Sequence, residues 1–228
     1  MPEMTRGPLA LVGGGEWIGD DAIDRALVER GGHEVLVIPT AAAYEDPEAA
    51  VAMAAARYSE LGAKVVSAMV LSRSDAEDAR NAEQIRAAQF IYLAGGSPLH
   101  LRVTLKDSAV LRALFAAWYD GALVAGSSAG AMALSDPMID PRGGAFTTGL
   151  GLVRDLAVVP HFTGGRDLQL DRTLALATDG CAVVALSPST GVICETDGTW
   201  IEVGPGPIAV YVDQRNVGLS ALAGKRFG

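Results

Sequence analysis

The strongest constraint on this chain is an alternation. Over residues 1–130, short apolar runs take turns with amphipathic segments. Pro8–Val12 reads as a strand and runs into "GGGEW". Asp20–Arg30 reads as a helix: Asp20 or Asp21 can cap it, Ile23, Ala26 and Leu27 share a face, and Gly31-Gly32 end it. "EVLVIPTAA" is the next strand. After it Asp46 is a capping type, Pro47 suits a first helical turn, Val51, Ala54, Ala55, Tyr58 and Leu61 make one stripe, and Gly62 stops it. "KVVSAMVL" and "QFIYLAGG" are further strands, separated by a helical segment over Asp75–Ala88. Leu99–Tyr119 is helical in pattern, in one piece or two, and "ALVAG" follows. Strands that alternate with helices call for a mostly parallel sheet covered on both faces.

Beyond residue 140 the texture changes. "DPRGGAFTTGLGLV" is glycine-rich loop, and Arg166–Thr178 is helical in pattern. "CAVVAL", "TGVICE", "TWIEV" and "PIAVYV" are closely spaced strands, expected to be antiparallel. No linker, repeat or low-complexity tract interrupts the chain, so residues 1–228 are expected to form one domain. Half of the 228 residues are hydrophobic, enough for one substantial core. The formal net charge of −9 repels phosphate backbones and argues against a nucleic-acid partner. The N-terminal residues lack the pattern of a secretory leader, and no run approaches the roughly 18 apolar residues of a membrane span. Two cysteines, Cys181 and Cys194, fit no metal or disulfide spacing. A cytoplasmic location is therefore expected.

In open parallel sheets, ligands gather outside the carboxyl ends of the strands. Three such ends are rich in glycine or hydroxyls: "GGGEW" (13–17), "GGSPLH" (95–100) and "GSSAG" (126–130). The last fits G-x-S-x-G with Ser128 at its centre, after an apolar strand and before the helix-compatible "AGAMAL". A strand turning sharply into a helix forces its central residue into a sparsely populated conformation and leaves no room for flanking side chains. It lifts the central hydroxyl clear of the sheet and aims the N–H of Ala129 at any oxyanion formed there. Ser127 points elsewhere and reads as a small packing neighbour. The competing reading is a tight structural turn.

A serine nucleophile needs a base. Of three histidines, His33 lies in a helix-to-strand turn and His100 on a helix. His161, in "LAVVPHFTGG", ends an apolar strand and is the preferred base. The group that would hold its tautomer is open between Asp136 and Asp140 in "LSDPMIDPRGG" and Glu195 in "TGVICETDG". The Gly95-Gly96 pair can bring a second backbone donor close to substrate. "GGGEWIG" lacks the spacing of a dinucleotide loop.

"LVGGGEW", "IPTAAA", "FIYLAGGSPLHL", "AGSSAGAMAL", "GLGLV" and "VVPHFTGGRD" follow one another in the order found in the serine peptidase family of dipeptidase E and cyanophycinase, which the chain resembles over roughly residues 8–212. The resemblance implies an α/β fold of three layers, flavodoxin-like and related to class I glutamine amidotransferases: a mostly parallel sheet flanked by helices, with antiparallel strands near the C-terminus. It implies Ser128 as nucleophile, His161 as base, and Gly96 and Ala129 N–H groups as the oxyanion hole. Gly95, Ser97 and Arg166 would line the substrate site, Arg166 holding an aspartyl carboxylate. Characterised relatives cut after aspartyl residues, in Asp-Xaa dipeptides or β-Asp-Arg units. Cyanophycinase-like members carry an acid where this chain has Pro188. The dipeptidase branch carries an aspartate in the loop after the nucleophile helix, which favours Asp136 or Asp140 as third triad member. Ser97-Pro98 departs from the usual Asn or Asp after the glycines.

The expectation is thus a serine hydrolase that cleaves small peptides at aspartyl residues through an acyl-enzyme, with no metal or organic cofactor. A homodimer is expected on resemblance alone. The alternatives are a hydrolase or acyl transferase with a non-aspartyl substrate on the same scaffold, and a non-catalytic binding homologue.

Overall fold

A computed structural model of the chain describes residues 6–228; residues 1–5, on which part of the no-leader expectation rests, lie outside the described residues. The alternation of the first half becomes strands β1 (Leu9–Val12), β2 (Glu34–Ile38), β3 (Lys64–Ser67), β4 (Phe90–Leu93) and β5 (Leu123–Ser127). Between and after them run helices α1 (Ala22–Gly31), α2 (Pro47–Glu60), α3 (Arg73–Glu77), α4 (Ala79–Ala87), α5 (Pro98–Leu105), α6 (Ala109–Tyr119) and α7 (Ala129–Leu134). The later chain adds β6 (Ser135–Asp136), β7 (Met138–Ile139), β8 (Phe146–Thr147), β9 (Val153–Arg154), β10 (Leu156–Val159), α8 (Leu168–Leu176), β11 (Ala182–Leu186), β12 (Gly191–Cys194), β13 (Trp200–Val203), β14 (Ile208–Val212) and β15 (Arg215–Asn216).

The first sheet has seven strands in the order β13-β12-β1-β5-β4-β2-β3. β1 to β5 pair in parallel, and β12 closes on β1 antiparallel. Side chains alternate between the faces, as the pleat requires. Ala10, Val12, Val35, Val37, Phe90, Tyr92, Leu123 and Ala125 face one apolar layer with Ile23 and Leu27 of α1 and Tyr58 of α2. Leu9, Leu11, Leu36, Ile38, Ile91, Leu93 and Val124 face the other, shared with α5, α6, α7 and the second sheet. Both faces are apolar, so these strands read as unbroken hydrophobic runs. Burying each large aliphatic or aromatic side chain contributes roughly 1.5–3 kcal/mol.

The helix boundaries follow their caps. Asp46 accepts from the N–H of Ala49, with Pro47 in the first turn of α2. The expected single helix over Asp75–Ala88 is two: Asp78 adopts an extended conformation, ends α3 and caps α4. Leu99–Tyr119 is likewise interrupted, because Ser108 leaves the helical conformation to accept from the N–H of Leu111 and start α6. Local side-chain bonds win over a continuous apolar stripe at both places.

The C-terminal strands pair antiparallel with one another as expected, β12 with β13 and β11 with β14. They divide between two sheets. "TGVICE" and "TWIEV" extend the first sheet as β12 and β13, whereas "CAVVAL" and "PIAVYV" enter a second sheet, ordered β15-β14-β11-β10-β6-β9. There β10 and β11 are parallel and the β10–β6, β11–β14 and β14–β15 pairs antiparallel. The loop Ser187–Thr190 carries the chain from one sheet to the other, pinned by the Ser187 hydroxyl on the carbonyls of Phe162 and Pro207. Both cysteines are buried and free. Among the described residues, no helix is long and apolar enough to cross a membrane.

Candidate active site

β5 turns into α7 at Ser128, whose backbone stands at φ 48°, ψ −108°, a strained position for a residue with a side chain. The flanking glycines are there for space. A Cβ on Gly126 would lie 2.6 Å from the carbonyl carbon of Gly130, and one on Gly130 would lie 2.2 Å from the Leu93 oxygen. The Ser128 N–H donates to the Val12 carbonyl at 2.9 Å, which ties the elbow to β1. Ser127 is fully buried and Ser128 only partly so.

His161 follows β10 and comes from the second sheet. Its Nε2 lies 2.8 Å from Ser128 Oγ. It too has a left-handed backbone, φ 58°. Its N–H donates to the Gly13 carbonyl at 2.8 Å, and that of Phe162 to Leu186 at 2.9 Å. The imidazole lies against Gly14, where a Cβ would come within 2.3 Å of Cε1 and 2.7 Å of Nδ1. Gly14 in turn accepts from the N–H of Ser189, and Gly13 donates to Thr190. The glycine tail of β1 is therefore the seam between the sheets. Among the described residues, Ser128 Oγ is the one hydrogen-bond partner of the His161 ring.

The loop after β4 supplies the opposite wall. Gly96, at φ 129°, packs so closely that a Cβ would meet the Ala41 oxygen at 2.3 Å. Neither the Gly96 nor the Ala129 N–H has a hydrogen-bond partner among the described residues. The Gly95 N–H is already spent: it donates to Glu16 Oε1 at 2.8 Å. The second oxygen of the same carboxylate, Oε2, accepts from the Ser127 hydroxyl at 2.8 Å. Glu16, which follows the glycines of "GGGEW", is not among the residues that the sequence motifs single out. The available signal was a carboxylate at a strand end with two other functional strand ends beside it.

The remaining candidates are engaged elsewhere. Asp136 does not reach His161: its residue pairs with Leu156, at the far end of β10, and its carboxylate accepts from the N–H of Gly149 at 2.9 Å. Asp140 grips Arg142 at 2.7 Å, an ion pair that lowers its carboxyl to about 2. Glu195 pairs with Arg30 at 2.7 Å. The Ser97 hydroxyl caps α5 by accepting from the N–H of His100, and His100 Nε2 lies 2.9 Å from the Leu71 carbonyl. Arg166 is exposed and donates to Asp171 at 2.5 Å. Beside His161 a cavity of about 310 Å³ opens, lined by Met132, Ile139, Pro160, Phe162 and Leu170 among others, and largely apolar. Among the described residues, no group of three or more His, Cys, Asp or Glu side chains is arranged to hold a metal ion.

Between α1 and α2, Asp24 is 2% exposed. Its Oδ2 stands 3.4 Å from Arg57 Nε, too far for full compensation. Burial pushes its carboxyl up to about 6 against the pull of that guanidinium.

The surroundings of Ser128 and His161 can be set beside known proteins. A cyanophycinase from Synechococcus elongatus is 27% identical over 198 residues, covering 82% of this chain, and the chain spans 61% of that relative's length. A cyanophycinase from Trichormus variabilis is 27% identical over 230 residues, covering 92% of this chain and 74% of its own. The crystal structure of a peptidase from an acI-B1 Actinobacterium superposes with a TM-score of 0.82 at 27% identity, covering 93% of both chains. The model of peptidase family S51 matches residues 9–205, a span that contains the β1 glycines, the β4 loop, the elbow and His161. On that match the chain belongs to peptidase family S51.

Proposed function

We propose that this chain is a serine peptidase acting on small peptides, with Ser128 as nucleophile and His161 as general base. The observation that carries the reading is the 2.8 Å contact between Ser128 Oγ and His161 Nε2 at a strained strand-to-helix turn, in a member of a peptidase family. Ser128 Oγ adds to the peptide carbonyl as its proton passes to His161 Nε2. The developing oxyanion takes the free N–H groups of Gly96 and Ala129. His161 returns the proton to the leaving amine, and water, deprotonated by the same nitrogen, releases the acid from the acyl-enzyme. Packing on Gly14, rather than a carboxylate, orients the ring.

The substrate class is a bond following an aspartyl residue. The resemblance of the motifs around Ser128 and His161 to peptidases that cut after aspartyl residues motivates it, while family membership supports the peptidase reading alone. In this reading a substrate carboxylate displaces Asp171 from Arg166. One observation favours a second reading, a non-aspartyl substrate: Arg166 is already ion-paired and exposed, while the cavity beside His161 is mostly apolar.

A fluorophosphonate probe tests the chemistry. It should label the wild type and neither Ser128→Ala nor His161→Ala; wild-type labelling no greater than the Ser128→Ala background removes the nucleophile. A panel of Asp-Xaa, β-aspartyl and neutral dipeptides tests the specificity. Turnover confined to neutral dipeptides excludes the aspartyl reading.

A further inference from the structure

Among the described residues, Glu16 is the one carboxylate bonded to both walls of the site, and the proton transfers above do not use it. It follows β1, yet it holds the loop after β4 through Gly95 N–H and the end of β5 through the Ser127 hydroxyl, each at 2.8 Å. Both partners stand one residue before a group that the reaction needs: Gly95 before Gly96, and Ser127 before Ser128. We infer that Glu16 is a positioning residue that fixes the oxyanion hole relative to the nucleophile, acting through Gly95 and Ser127. The inference rests on the reading of Ser128 as nucleophile.

The chemistry of the three residues fits that task. Gly95 and Ser127 both present donors, and an ionised carboxylate accepts twice without giving anything back. Bonds to a charged acceptor are shorter and stronger than neutral ones, so the two walls move as a unit. Ser127 is fully buried, and a buried hydroxyl left without its acceptor is costly. Position 95 is shaped to receive the carboxylate: a Cβ there would lie 2.4 Å from Glu16 Oε1. Because the Gly95 N–H is consumed, the loop has one free donor for substrate, that of Gly96. This moves Gly95 from substrate contact to support. It also makes Ser127 more than a small neighbour, since its hydroxyl is the link between carboxylate and elbow. A donor must stand about 2.7–3.1 Å from the oxyanion, and an error of about 1 Å in the placement of reacting groups costs on the order of 100-fold in rate.

The test compares Glu16→Gln, Ser127→Ala and the double variant, each checked by thermal unfolding. Glutamine keeps the shape but can accept from only one of the two donors. With a fluorophosphonate, whose phosphoryl oxygen occupies the hole, the expected result for Glu16→Gln is an inactivation rate constant lowered about 10- to 100-fold. Its concentration for half-maximal rate should stay within about twofold. Ser127→Ala should lose less, and the double variant no more than Glu16→Gln, because residues acting as one unit are not additive. A rate constant within about twofold of wild type for Glu16→Gln overturns the inference, as does a loss carried entirely by weaker probe binding. Amide hydrogen exchange separates this outcome from failure of the proposed activity. In the full chain, Glu16→Ala should speed exchange at residues 94–97 and 126–129 together. Unchanged exchange there overturns the clamp even if the wild type labels, and faster exchange upholds it even if the wild type does not.

Discussion

Ser128 and His161 face each other, but their regions hold them by different means. Ser128 is built locally. It ends an inner strand of the parallel block, and the space it needs comes from Gly126 and Gly130, two residues away on either side. His161 is built at a distance. It leaves a short strand of the second sheet and takes its backbone bond from Gly13 and its ring support from Gly14, which belong to the first sheet. The geometry of Ser128 is a property of a motif, whereas that of His161 is a property of the seam between two sheets.

The largest effect that probes this contrast is at the elbow. Ser128→Gly should abolish turnover, a loss of about 10⁴-fold or more. It should also raise stability by about 1 kcal/mol, because glycine relieves the φ 48° strain. Steady-state kinetics and thermal melting read the two halves of this outcome. An unstrained melt unchanged from wild type would show that the elbow stores nothing. The next effect is at the seam. Gly14→Ala puts a methyl group 2.3 Å from His161 Cε1 and should cost about 100-fold in activity. Activity within threefold of wild type would mean that the ring is held by something other than the β1 tail.

The two regions should also answer to pH with opposite sign. In the parallel half, burial raises Asp24 from 3.8 to about 6. A raised carboxyl contributes stability that is complete below pH 3.8 and is lost as pH climbs through about 6. The contribution is on the order of 3 kcal/mol. Asp24→Asn should flatten the fall in unfolding free energy between pH 4 and 7, and an unchanged slope in denaturant titrations would dismiss the buried charge as its source. In the later half, Arg142 lowers exposed Asp140 from 3.8 to about 2. Its contribution is present above pH 3.8 and is lost as pH falls through about 2. Asp140→Asn should therefore lower the melting temperature slightly at pH 7 and leave it unchanged below about pH 2, the smallest of these effects.

Much of the region around Ser128 was legible from residue order. The runs "LALV", "EVLVI", "FIYL" and "LVAGS" are apolar on both faces because both faces are covered, and helix caps such as Asp46 announce themselves. His161 was legible as a strand-end histidine. What stayed hidden depends on pairing between distant segments. Nothing local in "TGVICE" says that Cys194 will lie opposite Leu9, and nothing near Asp136 says that it will pair with Leu156, at the end of its strand away from His161. Glu16 stayed hidden for the same reason, since its partners lie 79 and 111 residues away.

The lacing of Gly13 and Gly14 to Ser189 and Thr190 has a consequence in time. A chain leaves the ribosome from its N-terminus at about 5–20 residues per second. The elbow emerges first and the histidine 33 residues later, but the loop that braces the glycine tail beneath the histidine comes later still. The pair is therefore assembled only when the second sheet has been made and joined to the first. Until then the newborn chain carries Ser128 with no braced His161 beside it.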